Sequence, residues 1–275
     1  MASHPRLDNP RLAVLIDADN VPASIVDGLF DEIATLGDAS VRRIYGDFSS
    51  PQMARWRKVL AAHAINPTQQ FAYTRGKNAS DITLVIEAMD LLHAGRVDGF
   101  CLVSSDSDLT RLASRIREQG LVVYGFGAEK TPDAFVKACT RFIYIENLAR
   151  SEEGGAEAAA QTPARRGGRG GRTAAAEGGA DAPAAEDAEA GPAPRRPPAE
   201  AVPLILRAMD RVDDEDGWFP LGAVAQVLYK LHPDFDPRSY GSARLSSLIR
   251  ATGVFEYRKT GGGAIRLVAD PPKRG

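Results

Sequence analysis

The sequence predicts an α/β fold, a parallel sheet with helices on both faces, followed by a small α+β domain of winged-helix type. Three observations carry this. Over residues 1–150, short apolar runs alternate with helical periodicities, and the runs are continuous, as strands buried on both faces require. Residues 151–200 contain no Val, Ile, Leu, Met or aromatic residue. Beyond them, three helical patterns precede two alternating stretches joined by Thr260-Gly261-Gly262-Gly263, a glycine-rich hairpin turn.

Leu12–Ile16 is the first strand and ends in Asp17. Pro22 opens a helical pattern (Ile25, Leu29, Ile33, Leu36) that stops at Gly37. Val41–Tyr45 is a second strand, with a helix over Met53–Ala62, and Thr68–Tyr73 is a weaker third strand. Ser80 has the chemistry of an N-cap before Ile82, Leu84, Val85, Met89 and Leu92, with Gly95 closing the helix. Phe100–Val103 is a fourth strand, Leu109–Glu118 a helix ended by Gly120, Leu121–Phe126 a fifth strand, Ala134–Ala138 a short helix and Phe142–Ile145 a sixth strand. In the C-terminal part, Val202–Val212, Leu221–Leu231 and Tyr240–Ala251 read as helices, and Val254–Arg258 and Ala264–Val268 as strands.

These boundaries divide the chain into 1–150, a linker over 151–200, and 201–275. The linker holds 16 Ala, 9 Gly and 6 Pro in 50 residues, too little apolar surface to offset the entropy of ordering it. Within it, Arg165-Arg166-Gly167-Gly168-Arg169-Gly170-Gly171-Arg172 resembles an RGG box, a pattern that holds single-stranded RNA elsewhere but is equally a soluble tether. The net charge of −2 divides into −1, −3 and +2 over the three parts, so no segment presents a large electrostatic footprint for duplex nucleic acid. No apolar stretch approaches a membrane span, and Met1–Pro10 lacks the apolar core of a signal peptide; a cytoplasmic protein without membrane contact is expected. Two cysteines, Cys101 and Cys139, rule out a disulfide scaffold and a cysteine-based zinc site.

Ligands of a parallel α/β sheet bind outside the carboxyl ends of its strands. The sequence places Asp17, Asp19 and Asn20 after strand 1, and Ser104, Ser105, Asp106 and Asp108 after strand 4. Asp81 stands at the start of the helix after strand 3, preceded by Arg75-Gly76-Lys77-Asn78. Three segments thus deliver carboxylates to one edge. Carboxylates crowded together resist joint ionisation, and a hard divalent cation removes the conflict. An all-oxygen donor set with room for retained water suits Mg²⁺ or Mn²⁺. Any one of these residues taken alone is equally a helix cap. Asp19 alternates with Asp17 and ranks below it.

Ile-Asp-Ala-Asp-Asn, then Lys-x-x-x-Asp, then Ser-x-Asp-Ser-Asp-Leu, in this order, resembles the NYN domain over about Leu12–Leu148. That family is PIN-like and includes the LabA-like metal-dependent ribonucleases. The resemblance implies a Rossmannoid, PIN-like sheet. It implies that Asp17, Asp81, Asp106 and Asp108 form an acidic metal cluster, and that Asn20 orients a ligand or the scissile phosphate. Here Ser104-Ser105-Asp106 replaces the frequent Ser-Gly-Asp, which narrows the loop but keeps both acids. Where the family often has a further Asp, this chain has Glu87, off the face of Asp81. Arg75, Lys77, Ser104 and Ser105 are the expected substrate-binding residues, and Tyr73 is read as strand filler before a base-stacking platform.

The C-terminal part resembles the OST-HTH, or LOTUS, domain, through Gly217-Trp218-Phe219-Pro220-Leu221, Pro233-x-Phe235-x-Pro237 and Tyr240-Gly241. This resemblance implies RNA or protein binding without chemistry. Arg238, Arg244 and Arg250 on the second helix of the helix-turn-helix, and Arg258, Lys259 and Arg266 on the wing, are candidate phosphate contacts or a solvated surface. The expected activity is hydrolysis of RNA phosphodiesters. The expected partner is single-stranded RNA, with a protein partner of the C-terminal domain and self-association left open. The C-terminal domain is expected to raise local substrate concentration through a flexible tether, without being needed for cleavage. Two alternatives are an RNA-binding adaptor that does not cut and a haloacid-dehalogenase-like phosphatase. The second calls for Thr or Ser where Val21 stands.

Overall fold

The structure is a computed structural model. It describes residues 9–70, 79–148, 196–259 and 263–268, with the backbone alone at Ala79 and Ser80. The expectations for Tyr73, Arg75, Lys77, the RGG-like segment and the central hairpin glycines lie outside the described residues.

Six parallel strands form the first sheet: β1 (Arg11–Asp17), β2 (Asp38–Gly46), β3 (Asn66–Gln69), β4 (Gly99–Val103), β5 (Val122–Gly127) and β6 (Arg141–Tyr144). Their order is β3-β2-β1-β4-β5-β6. Because every central strand is covered twice, its side chains divide between two cores. Leu12, Val14 and Ile16 pack with Val26, Leu29 and Ile33 of α1 (Val26–Leu36), and with Trp56 of α2 (Ala54–Val59). Ala13 and Leu15 pack with Leu84, Ala88 and Leu92 of α3 (Ala79–Ala94), with Leu112 and Ile116 of α4 (Thr110–Glu118), and with Phe135 of α5 (Asp133–Ala138). The α/β fold with helices on both faces is therefore the fold observed.

Element boundaries differ from expectation where local chemistry hides them. β3 begins at Asn66 and includes Pro67. A proline argues against a strand, but β3 is an edge strand, where a missing N–H costs no ladder bond. The second helix is shorter than predicted, entered through a 3₁₀ turn over Pro51–Met53, and the chain then turns at Ala64, with φ 51°. α3 is described from Ala79 onward, and the cap expected of the Ser80 side chain lies outside the described residues.

The C-terminal elements begin with a 3₁₀ turn at Pro198–Ala201, inside the stretch read as linker. There follow α6 (Val202–Met209), β7 (Phe219–Pro220), α7 (Leu221–Leu231), α8 (Leu245–Thr252), β8 (Phe255–Arg258) and β9 (Ala264–Leu267). The three strands pair in the order β7-β9-β8, antiparallel. Ile205, Val224, Leu228, Leu248 and Ile265 fill a core of their own. Tyr240 does not open the last helix as predicted. It closes a 3₁₀ turn over Pro237–Tyr240, and Gly241, at φ 76°, takes the left-handed conformation that ends it.

The small domain also touches the large one. The Phe142 amide of β6 donates to the Pro233 carbonyl at 2.8 Å, and Arg238 donates to Glu32 of α1 at 2.8 Å. These contacts seat the small domain against the large one. Arg238 is also spent as a phosphate contact, since its guanidinium binds Asp236 and Glu32. No helix among the described residues is long and apolar enough to cross a membrane.

Candidate functional site

Strand order reverses between β1 and β4. The chain leaves β1 for α1 on one face and leaves β4 for α4 on the other, so a crevice opens beyond the ends of these two neighbours. Asp17 is the last residue of β1, and Ser104 the first after β4.

Asp17 is 1% exposed and Ser104 0%. The Ser104 hydroxyl donates to Asp17 Oδ2 at 2.8 Å and accepts from the Asp106 amide at 3.1 Å. One side chain thus links the two strand ends. Asn20 Nδ2 donates to the same Oδ2, and the Asp19 amide donates to Oδ1 at 3.2 Å. Burial raises the Asp17 carboxyl above its ordinary range, the bonds from Asn20 and Ser104 pull it down, and the Asp19 charge pushes it up. The turn carrying Asn20 is pinned from α2. The buried Trp56 indole donates to the Val21 carbonyl at 3.1 Å, a bond that its place among Arg55, Arg57 and Lys58 did not announce.

Asp106 is the N-cap of the 3₁₀ turn Ser107–Leu109, its carboxylate accepting from the Asp108 amide at 2.8 Å. The capping role that the sequence allows is real, and it holds Asp106 beside the site. Asp81, in the first turn of α3, is pushed up to about 6. Burial is the largest cause, followed by the charges of Asp17, Asp106, Asp108 and Asp19 in that order. The structure therefore brings Asp17, Asn20, Asp81, Ser104, Asp106 and Asp108 to one edge.

Ser105 is directed elsewhere: its hydroxyl accepts from the Ala128 amide at 2.8 Å and braces the loop against β5. Glu87 also faces away, accepting from Tyr45 at 2.7 Å and Arg43 at 2.6 Å. Arg75 and Lys77 lie outside the described residues. Beside the acids, Asp81, Ile82, Val85, Ile86, Asp108 and Leu109 line a shallow cleft of about 220 Å³. Its Ile82 and Ile86 are 61% and 56% exposed, one helical turn apart, and periodicity alone assigned Ile82 to the buried face.

The donor set consists of hard oxygens, and Asp81 is raised by its burial and then by four neighbouring carboxylates. Among the described residues, no three His, Cys, Asp or Glu side chains are grouped tightly enough to enclose a metal. The oxygen donors at this edge are of the class that Mg²⁺ and Mn²⁺ take.

The NYN domain family matches residues 11–146. The chain carries an NYN domain. The OST-HTH/LOTUS domain family matches residues 194–267, so the second domain follows in the same chain. The NYN domain is a nuclease-like fold, and OST-HTH is an RNA-binding domain. No curated protein matches the chain. Among solved structures, it is similar to a protein of unknown function from Vibrio parahaemolyticus, at 18% identity and a TM-score of 0.43, covering 51% of this chain and 96% of that one. It is also similar to an uncharacterized protein from Nitrosomonas europaea, solved by NMR, at 30% identity and a TM-score of 0.24, covering 34% of this chain and 98% of that one.

Proposed function

We propose that this protein is a ribonuclease that hydrolyses RNA phosphodiesters with Mg²⁺ or Mn²⁺ at the acidic edge of its NYN domain. The observation that carries the reading is the convergence on Asp81. Burial first, and then the charges of Asp17, Asp106, Asp108 and Asp19 from two other segments, push it up to about 6, a concentration of negative charge that a fold tolerates where a cation is to bind. Asp17, Asp81, Asp106 and Asp108 would hold the ion. When bound, it supplies Lewis-acid stabilisation of phosphoryl charge and a water of lowered pKa.

The chain's own groups do the rest. The bonds from Ser104 and Asn20 favour the charged form of Asp17 against the larger effect of its burial, and they fix its orientation. Asp106, anchored by the Asp108 amide, presents its remaining lone pairs toward the crevice edge. The uncharged surface of Ile82 and Ile86 suits the face of an unpaired base, which favours single-stranded RNA. Lys77 and Arg75 belong to the proposal as phosphate partners by their place in the sequence. The cytoplasm is the compartment this chemistry suits.

One observation favours the second reading, an RNA-binding adaptor: the carboxylates converge without closing into a tight three-acid group. Purified protein incubated with labelled single-stranded RNAs and Mn²⁺, with and without chelator, separates the two. The expected result is cleavage that chelator stops and that Asp17→Asn or Asp106→Asn abolishes with far-UV circular dichroism unchanged. Full activity in both variants, or no metal-dependent cleavage of any RNA, overturns the nuclease reading.

A further inference from the structure

The face of the NYN domain opposite its acids in chain order, β6 with α1, carries polar groups that the sheet itself does not use. Strand β6 is an edge, and an edge left open invites pairing with another chain. Here the C-terminal domain occupies it. The Phe142 amide points outward and donates to the Pro233 carbonyl at 2.8 Å. Tyr144 donates to Asp234 at 3.0 Å, and Asn147 to the Ser239 hydroxyl at 2.9 Å. Glu32 receives Arg238 at 2.8 Å and lies 3.5 Å from Arg141, whose guanidinium lies over the Tyr229 ring. Asn147 is 0% exposed and Ser239 5%, so their bond is sealed from water. A buried polar pair such as Asn147 and Ser239 favours one arrangement over others, because a slip strands its donor and its acceptor.

A second observation concerns the covalent connection. The described chain stops at Leu148, next to Asn147, and resumes at Arg196. Asn147 binds the Ser239 side chain, and the Arg196 amide donates to the Ser239 carbonyl at 2.9 Å. Residues on either side of 149–195 therefore both bond to Ser239.

We propose that the β6–α1 face is a docking surface for this chain's own OST-HTH domain, that the pairing is encoded in the surfaces, and that covalent continuity through 149–195 is not what holds it. The RNA-binding domain then stands in fixed register with the acidic edge instead of roaming on a tether.

The test uses the full chain with a site-specific protease sequence inserted between Ala180 and Asp181. After complete cutting, seen on a denaturing gel, the two halves co-elute in size exclusion at the mass of one intact chain. At about 10 μM this holds for a pairing of about 1 μM Kd or tighter. Glu32→Arg sets like charge against Arg238 of the small domain and Arg141 of β6 and weakens the pairing at least about tenfold. Tyr144→Phe weakens it less, and both keep far-UV circular dichroism unchanged. Arg238→Glu also loses its Asp236 partner, so it is scored only together with Glu32→Arg, where partial recovery is expected. Halves of the cut wild type that elute separately overturn the proposal. So does co-elution indifferent to Glu32→Arg, or a complex of twice the chain's mass.

Discussion

Ser104 serves two strand ends through one oxygen. Its hydroxyl donates to Asp17 and accepts from the Asp106 amide, so its loss loosens both at once. Ser104→Ala should lower metal-dependent turnover about 10- to 100-fold, the usual effect of removing a group that orients a metal-binding carboxylate. The same change withdraws a bond that favours ionised Asp17, so its pKa rises and the acid limb of the pH–rate profile moves to higher pH. An unmoved limb in steady-state assays would assign Ser104 to packing alone. Asp81 gives a second pH dependence. Its pKa of about 6 lies above its ordinary 3.8, so the folded state holds this proton more tightly than the unfolded state does. The resulting stability is complete below about pH 3.8 and is lost as pH rises through about 6. Without metal, Asp81→Asn should therefore gain Tm relative to wild type as pH rises from 4 to 7. Mn²⁺ at pH 7 should close the gap. A gap constant with pH by scanning calorimetry refutes the crowding of charge on this carboxyl.

The elements show how much of the site was legible in the sequence. Asp17, Asp106 and Asp108 were readable because continuous apolar strands end abruptly in polar residues, which fixes their position whatever the loops do. Ser105 was not, because a hydroxyl after a strand carries no direction; only the fold shows it turned to Ala128. Trp56 was hidden for a similar reason, its bond to Val21 being made across 35 residues. Helix ends followed their glycines at Gly95 and Gly120, where φ is +63° and +84°, and the start expected at Tyr240 failed, because a turn closes at Gly241 and the helix begins only at Leu245. Strand β5 ends at Gly127, whose absent side chain lets the Ser104 loop approach. A Cβ there would lie 2.6 Å from the Ser104 carbonyl oxygen and 2.7 Å from Thr131 Oγ1. Gly127→Ala should destabilise by about 1–3 kcal/mol, as overpacking does, and reduce turnover with it. Denaturant midpoints measure the first and initial rates the second. Wild-type stability in this variant would mean the loop gives way freely.

At the scale of the whole molecule, the two-domain organisation was visible in composition alone, since fifty residues without a large apolar side chain separate two patterned regions. Their contact was not visible. Glu32, Tyr144, Asn147 and Asp234 look like ordinary surface residues until the fold brings them together across 90 or more positions. Charge is the other global property. With a net charge of −2 and Arg238 engaged by Asp236 and Glu32, the chain presents no net positive charge to phosphates. Binding of single-stranded RNA to Asp17→Asn should vary with log[salt] at a slope no steeper than about −2, or roughly three phosphates. Fluorescence anisotropy across a salt series measures it, and a slope several units steeper would reveal a basic surface beyond these residues.

The meeting of Asn147 and Arg196 at Ser239 has a consequence for how this gene product can change. Closing a stretch of chain on itself costs free energy that rises with the logarithm of its length, about 0.6 kcal/mol for each doubling. Insertions, deletions and drift in composition between these two points therefore leave the geometry of the paired domains nearly untouched, and selection there is free to act on whatever else those residues do.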